Sequence, residues 1–463
     1  MLKCKFPSLY VVDLKLIKVM ETKKKSVIIF GGGLSGLVTA NVCSHLGIDS
    51  LLVENSNLLG GGNKSVKDKE GNIFDYGYHA LDYNRSFITT KFFKKVLQNN
   101  YRKFKLKRGI IIKDHLIPYN EKINKWPKDL KALFLKKLQE DTVEGKLYRK
   151  KISKVFGDKF TNLAYDEILR SYPSINWSLE NGGKEEDFFG LVYPWFFPKI
   201  KKNNQRKSEW EIFHDKMRNG EHFVLYPKKG GFESFIKAIH TDIDHKYCKI
   251  IKNVANIEYK TELKTNQFSS VKINGNTYVA DTYFWCNSPI SLCKILGIKI
   301  KETKIGKAQR IAFGNFILKN EIKSEFHEIL VGSNQHMINR ISFPGKIANT
   351  NNKLIQVEYS FPINTPKHDK ETLKKSWINS LETLGIINKK EQIKKFTFIE
   401  ETRGVVTIHN WEELTKMYKK KIDEKKGNNV IIPSFNLGPE NINRVIPEVM
   451  LNTVKSLIRT NEE

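Results

Sequence analysis

The sequence predicts an α/β fold built on a Rossmann-like dinucleotide-binding domain that is discontinuous along the chain. Three observations predict it. The apolar run Val27-Ile28-Ile29-Phe30 leads into Gly31-Gly32-Gly33-Leu34-Ser35-Gly36, a G-x-G-x-x-G turn that opens a helical pattern. A second apolar run, Leu51-Leu52-Val53, ends in Glu54, 18 residues beyond Gly36. A strand-like run at 427–435 and a helical pattern at 441–459 return at the C-terminal end.

Each part of the first unit has a physical task. Gly31 permits the tight turn off the strand, Gly33 lets the backbone approach a pyrophosphate, and Gly36 lets the helix pack closely on the sheet. The N-terminus of the helix, at Leu34 and Ser35, offers free N–H groups and a partial positive charge to phosphates. Glu54 is placed to accept hydrogen bonds from an adenosine ribose, and its charge disfavours the extra phosphate of NADP. The plain alternative is a glycine-rich turn in an unrelated α/β protein, and the complete strand–helix–strand–acid context argues against it.

A second glycine-rich loop follows at once: Asn55-Ser56-Asn57-Leu58-Leu59-Gly60-Gly61-Gly62-Asn63. Next comes Phe74-Asp75-Tyr76-Gly77-Tyr78-His79, in which Tyr76, Gly77 and His79 are candidates for the cofactor side of a site. A lone histidine in such a turn is as readily a loop residue bonded to backbone.

Composition sets the frame. At 463 residues the chain can bury large cores and is expected to form two or three domains. No apolar run reaches the length of a membrane span, so no stable membrane insertion is expected. The net charge of +29 raises nucleic acid as a partner. Lysine dominates it throughout and no nucleic-acid motif appears, so it reads as residue usage of an AT-rich genome, with no nucleic-acid role. The five scattered cysteines form no C-x-x-C pair, which fits a reduced, cytoplasmic protein. No metal-ligand pattern is found.

Along the chain, residues 1–25 read as an N-terminal extension, with Met20 a candidate start. Residues 26–85, 221–300 and 425–463 are assigned to the cofactor domain. Residues 86–220 read as a mainly helical insertion, with helices around 92–97, 130–138 and 147–175 and a short hairpin over 109–119. Residues 301–424 read as a mixed α/β substrate-binding region. In the middle, Ile250–Ile257, Val271–Val279 and Thr282–Cys286 read as strands, with Asn274-Gly275 a hairpin turn.

These anchors resemble the superfamily of FAD/NAD(P)-binding flavoproteins of the glutathione reductase type, which includes amine oxidases, desaturases and UDP-galactopyranose mutase. The resemblance is carried by G-G-G-L-S-G-L at 31–37, E-N-S-N-L-L-G-G-G-N at 54–63, F-D-Y-G-Y-H at 74–79, L-Y-P-K-K-G-G-F at 225–232 and F-W-C-N-S-P at 284–289. It implies FAD, held by Gly31, Gly33, Leu34, Ser35, Gly36, Glu54, Asn55, Gly61, Gly62, Asn63, Tyr76, Gly77, His79, Val254, Gly438, Asn443, Arg444 and Val445.

Three stretches resemble the mutases more closely: Asp75–His79, the segment from Phe156-Gly157 to Tyr165 and Trp177, and Asn339-Arg340-Ile341-Ser342-Phe343-Pro344. The likeness implies ring contraction of a nucleotide-linked sugar on reduced flavin, serving surface polysaccharide synthesis. Its partners would be a nucleotide sugar and a reductant such as NAD(P)H, in a chain that forms a homo-oligomer. His79 and Arg340 would be catalytic, with Arg340 neutralising the diphosphate. Tyr193, Trp195, Tyr359 and Arg403 would join Arg340 around the substrate, although each is as readily a packing or surface residue. The sequence departs from the mutase pattern at Tyr78, where proline is expected, and at Asn436–Pro439, where the G-R-x-G arginine is missing. An oxidoreductase of the amine oxidase or desaturase type, or a non-catalytic flavoprotein, stays open.

Overall fold

The computed structural model describes residues 26–83, 85–119, 121, 123–140, 163, 221–262, 265, 267–299, 307–333, 335–362, 369–389, 392–407, 411–434 and 442–458. A five-stranded parallel sheet forms the first half. Its order is Cys248–Ile251, Asp49–Val53, Ser26–Phe30, Thr282–Trp285, Val430–Ile431. Ser26–Phe30 lies at the centre, with Ile28 opposite Leu51 on one side and Tyr283 on the other. The sheet thus gathers strands from widely separated stretches of sequence.

Alternation along the central strand divides two cores. Val27 and Ile29 face a layer of helices, Leu34–His45, Phe87–Leu97, Glu233–Asp242 and Ile442–Ile458, and pack with Leu37, Phe93, Phe235, Ile446 and Val449. Ile28 and Phe30 face the other way, onto the antiparallel sheet Ile257–Thr261, Phe268–Ile273 and Asn276–Tyr278 and onto Tyr418 and Ile422 of helix Trp411–Lys425. A sheet covered on both faces explains why its strands read as unbroken apolar runs.

The second half is a seven-stranded sheet in the order Ile393–Thr407, Lys307–Leu318, Leu354–Pro362, Arg340–Ser342, Glu328–Val331, Arg108–Ile112, His115–Pro118. Here one face is apolar: Ala312, Phe316, Ile341, Val357 and Phe361 pack against Trp377 and Leu381 of helix Lys370–Thr383. Gly314 makes room for the indole, since a Cβ there would sit 2.5 Å from it. The opposite face carries Arg108, Glu328, Arg340, Gln356 and Glu358, brought side by side by the register: Glu328 opposite Arg108 and Ser342, Arg340 opposite Glu358. A small sheet of Leu81–Asp82, Phe223–Pro227 and Tyr101–Lys105 lies between the halves.

Several expectations change. Residues 86–140 are not mainly helical: they give helices Phe87–Leu97 and Lys128–Glu140 but also three strands, two of which complete the large sheet. The basic residues Arg102, Lys103 and Lys105 hide a strand over Tyr101–Lys105 that pairs with Phe223–Pro227. The hairpin over 109–119 is present, turning at Lys113 and Asp114 with φ of 46° and 63°. Ile250–Ile257 is not one strand. The chain leaves the parallel sheet after Ile251, turns through Asn253 at φ 57°, and starts the antiparallel sheet at Ile257. The Asn274-Gly275 turn forms as expected, with both φ positive. Residues 1–25 fall outside the described residues, as does the segment expected to be helical at 147–175 apart from Leu163, which is helical.

Among the described residues no helix is long and apolar enough to cross a membrane.

Candidate functional site

The first glycine turn is built as its spacing requires. Gly31 has φ 102°, and a Cβ there would meet the Asn287 side chain at 2.3 Å. A Cβ on Gly36 would lie 1.8 Å from the Gly31 carbonyl oxygen, so strand and helix touch through backbone. Gly33 is the N-cap of helix Leu34–His45, with no side chain capping it and no acid in the first turn. A Cβ on Gly33 or Gly62 would meet nothing within 4 Å, and one on Gly61 would meet only the Gly33 Cα at 3.6 Å. The two glycine loops pack against each other, with Gly60 N–H donating to Gly32 O at 2.7 Å, and leave a side-chain-free groove beside Gly33 and Gly62 at a helix N-terminus. That groove suits a pyrophosphate.

Glu54 stands at the rim. Its Oε2 accepts from Gly32 N–H at 2.7 Å and its Oε1 from Ser56 N–H at 2.8 Å. Each carboxylate oxygen retains a second lone pair for a ribose hydroxyl. Val254 N–H donates to the Glu54 carbonyl at 3.1 Å, so Val254 lies beside Glu54. Asn63 Nδ2 donates to Gly60 O at 3.3 Å and shapes the second loop, while Asn55 is exposed. These residues fit an adenine dinucleotide cofactor.

From that groove the chain runs to a second, deeper site. Tyr76 N–H donates to Lys64 O, and Tyr76 packs edge-on against Phe313 of the large sheet. Gly77 has φ 81°, and a Cβ there would lie 3.1 Å from Glu358 Oε2 and 3.4 Å from Arg340 Nη2. Only glycine lets this turn press onto the charged face of the sheet. Asp75, part of the sequence motif but not among the candidate residues, anchors the turn. It accepts from Ser65 Oγ at 2.6 Å, Tyr226 O–H at 2.6 Å and Phe232 N–H at 2.9 Å, and its carbonyl accepts from Gln356 Nε2. Gly231 is needed here too, because a Cβ would collide with Ser65 and Asp75. Burial raises the Asp75 pKa, against those three hydrogen bonds.

Next to this turn is a cavity of about 220 Å³. Tyr78, His79 and Asp82 form one wall, Arg108 and Arg340 another, and Ile442 and Asn443 at the start of the last helix a third. Burial lowers the His79 pKa despite the nearby Asp75, so the ring is neutral at pH 7. Its Nδ1–H donates to Gly77 O at 2.9 Å, which leaves the lone pair on Nε2.

Arg340 does not stand as a bare cation. Its Nη2 donates to Glu358 Oε2 at 2.6 Å, and Nη1 lies 3.7 Å from Glu328 Oε2. Arg108 Nε donates to the other oxygen, Glu328 Oε1, at 2.6 Å. Glu328 is 0 % exposed. Arg108, Glu328 and Glu358 are not among the residues singled out from the sequence. The available signal was an acid inside an otherwise apolar strand, at Glu328 in E-I-L-V and Glu358 in L-I-Q-V-E-Y-S-F.

Other expected residues fall elsewhere. Tyr359 follows Glu358 by one position, so its ring faces away from the cavity, 5.6 Å from Phe361 and against the core under helix Lys370–Thr383. The Val445 side chain is buried in the first core, leaving its backbone as the part a cofactor can meet. Arg444 is exposed, with Nε 3.8 Å from Glu448. Asn443 lines the cavity. Arg403 lies on the edge strand Ile393–Thr407. Tyr193, Trp195, Trp177, Tyr165 and Gly438 lie outside the described residues. No group of three or more His, Cys, Asp or Glu gathers as a metal site among the described residues.

The family profile of the NAD(P)-binding Rossmann-like domain matches residues 29–96. The chain has the fold of the FAD/NAD(P)-binding flavoprotein superfamily. Solved structures agree over most of its length. A candidate protoporphyrinogen oxidase from Exiguobacterium sp. 255-15 is 12% identical with a TM-score of 0.68, covering 95% of this chain and 100% of its own. Reduced UDP-galactopyranose mutase is 12% identical with a TM-score of 0.66, covering 95% and 96%. The CLA-producing fatty acid isomerase from P. acnes is also 12% identical, with a TM-score of 0.57 and coverage of 94% and 99%. A search of curated proteins finds no significant sequence match.

Proposed function

We propose that the protein is an FAD-dependent enzyme that acts on a nucleotide-linked sugar, interconverting pyranose and furanose rings for surface polysaccharide synthesis in the cytoplasm. One observation carries this reading: among the residues lining the cavity beside the Gly77–His79 turn, the polar Tyr78, His79, Asp82, Arg108, His222 and Arg340 outnumber the apolar ones. Such a wall suits a ligand rich in hydroxyls and disfavours a porphyrin or a long hydrocarbon.

FAD would lie with its pyrophosphate over Gly33 and Gly62, at the N-terminus of helix Leu34–His45, and its ribose at Glu54. When bound and reduced by a donor such as NAD(P)H, it supplies flavin chemistry at the anomeric carbon with no net redox change. The chain's own residues position the sugar. Neutral His79 accepts a proton from a sugar hydroxyl at Nε2 while Gly77 O holds its orientation. Arg340 is charge-balanced by Glu358 and Glu328, so it forms the cavity wall and is reassigned from the diphosphate.

The test is to incubate FAD-loaded, dithionite-reduced protein with UDP-galactose and related nucleotide sugars. Conversion between ring forms without oxygen uptake is expected. Failure to convert any nucleotide sugar, together with oxygen-consuming turnover of an amine or other reduced substrate, would overturn the mutase reading in favour of an oxidase.

A further inference from the structure

From Tyr83 to Lys113 the sequence carries ten basic residues and no acidic one, so any surface it forms has a single sign of charge. The stretch opens with helix Phe87–Leu97. Ser86 caps it, its hydroxyl accepting from Thr89 N–H at 3.3 Å, so Phe87 and Ile88 fall in the first turn. One side of the helix is core: Phe92, Phe93, Val96 and Leu97 pack with Phe235. Helical spacing sets Phe87, Ile88, Lys91, Lys94 and Lys95 together on the other side. Phe87 is 60% exposed and Ile88 42%. Six large apolar side chains are exposed among the described residues, and these two alone are neighbours in the chain.

The same face continues onto the small sheet between the halves. Lys94 Nζ stands 5.1 Å from the centre of the Tyr83 ring, and Lys103 Nζ stands 3.8 Å from that ring and 4.8 Å from Phe223. Lys105 lies opposite Phe223 and two residues from Lys103, so it points to the same side. Lys95 is answered by Asp242 at 3.1 Å, while Lys91 and Lys105 are exposed. Strand alternation sends Val224 and its neighbour Asp82 to the opposite side of the sheet, where both line the cavity. One layer of sheet thus separates the cavity from this surface.

We propose that this face docks the protein on the surface of an anionic lipid bilayer, with Phe87 and Ile88 entering the boundary of headgroups and acyl chains and Lys91, Lys94, Lys103 and Lys105 meeting lipid phosphates. Exposed apolar side chains set among lysines and tyrosines are what a surface lying on such a bilayer requires. A nucleic acid would meet the lysines and leave Phe87 and Ile88 in water. An uncharged bilayer would take Phe87 and Ile88 and leave the lysines unanswered. An anionic bilayer answers both. Two apolar residues in one helical turn give reversible binding on the surface and no span. The inference goes beyond the nucleotide-sugar reading and stands whatever the cavity binds.

The experiment sediments the FAD-loaded full chain with vesicles of phosphatidylcholine alone or of phosphatidylcholine with an equal part of phosphatidylglycerol. Binding to the anionic vesicles is expected to be more than tenfold stronger, and to weaken as salt rises from about 0.1 M to about 0.5 M. Phe87→Ser/Ile88→Ser and Lys91→Glu/Lys105→Glu are each expected to lose about tenfold or more of that binding. Both pairs are exposed, so flavin absorbance and unfolding temperature should stay those of wild type. Lys416→Glu/Lys419→Glu is the control: it sits on helix Trp411–Lys425, against the other face of the parallel sheet, and should keep binding within about twofold. The proposal is overturned if wild type ignores anionic vesicles or binds both kinds equally, or if the control pair loses as much as the lysine pair. It is also overturned if the serine pair keeps its vesicle binding while the lysine pair loses vesicles and a short duplex DNA alike, which marks a polyanion surface. A serine pair that sediments as a smaller species than wild type in vesicle-free ultracentrifugation assigns the face to a contact between copies and overturns it too.

Discussion

The two halves of the molecule use opposite means to make a site. The parallel-sheet half removes side chains: Gly31, Gly33, Gly36, Gly61 and Gly62 bring backbone to backbone and leave a groove that main chain lines. The seven-stranded half adds charge: Arg108, Glu328, Arg340 and Glu358 occupy one face of a sheet whose other face is a conventional core on Trp377. A backbone site is dictated by steric exclusion and shows in short sequence motifs. A charged lattice is dictated by register between distant strands and has no local signature.

The contrast can be broken at several points. The largest stability effect is expected from Trp377→Ala, on the apolar face of the large sheet, which should cost about 3–5 kcal/mol through its cavity yet leave flavin binding intact. On the charged face, Glu328→Ala removes the fully buried carboxylate that Arg108 bonds while Arg340 keeps Glu358, and should cost about 3 kcal/mol. Replacing Arg108, Glu328, Arg340 and Glu358 together by apolar residues of similar volume should cost much less, read by chemical denaturation; equal losses would show that the charges do not act as a unit. In the other half, Gly36→Ala forces a Cβ onto the Gly31 carbonyl and should cost about 1–3 kcal/mol. There the telling measurement is flavin absorbance after purification, and full retention would contradict the close strand–helix contact.

A smaller, pH-dependent effect belongs to His327. Burial, with Lys346 and Arg102 nearby, lowers its pKa to about 4, and its Nδ1 accepts from Lys107 N–H. The unfolded histidine titrates near about 6.5, so it binds the proton more readily than the folded one. Stability should therefore fall as pH drops from about 6.5 to about 4, by up to about 1.4 kcal/mol per unit. His327→Phe should flatten that slope in denaturant titrations at several pH values. The smallest effect is expected at Arg444→Ala: within about 0.5 kcal/mol and without loss of flavin, because the side chain is exposed.

Legibility follows the same division. The turn at Gly31–Gly36, the acid at Glu54, the second loop at Gly60–Gly62 and the Asn274-Gly275 hairpin are readable because each is a local backbone requirement. The turn Gly77–His79 is readable as part of a pattern, but the reason for Gly77 is not: it lies under Arg340 and Glu358, far away along the chain. Tyr359 is misplaced by one step of strand alternation, a step that carries a side chain to the opposite face. The strand Tyr101–Lys105 escapes notice because three of its five residues, Arg102, Lys103 and Lys105, are basic and break the apolar alternation of a strand.

The sequence by itself determined the dinucleotide groove, since glycine spacing limits what the backbone can do within a few residues. It also determined that the parallel sheet is buried on both faces, since its strands carry no polar alternation. Only the tertiary structure decided what the site can recognise. Asp75 meets Tyr226, Phe232 and Gln356, Tyr78 meets Arg340, and Glu328 meets Arg108, through pairings among strands from all over the chain. Charge balance inside a buried cavity is a property of such meetings, and no single segment contains it.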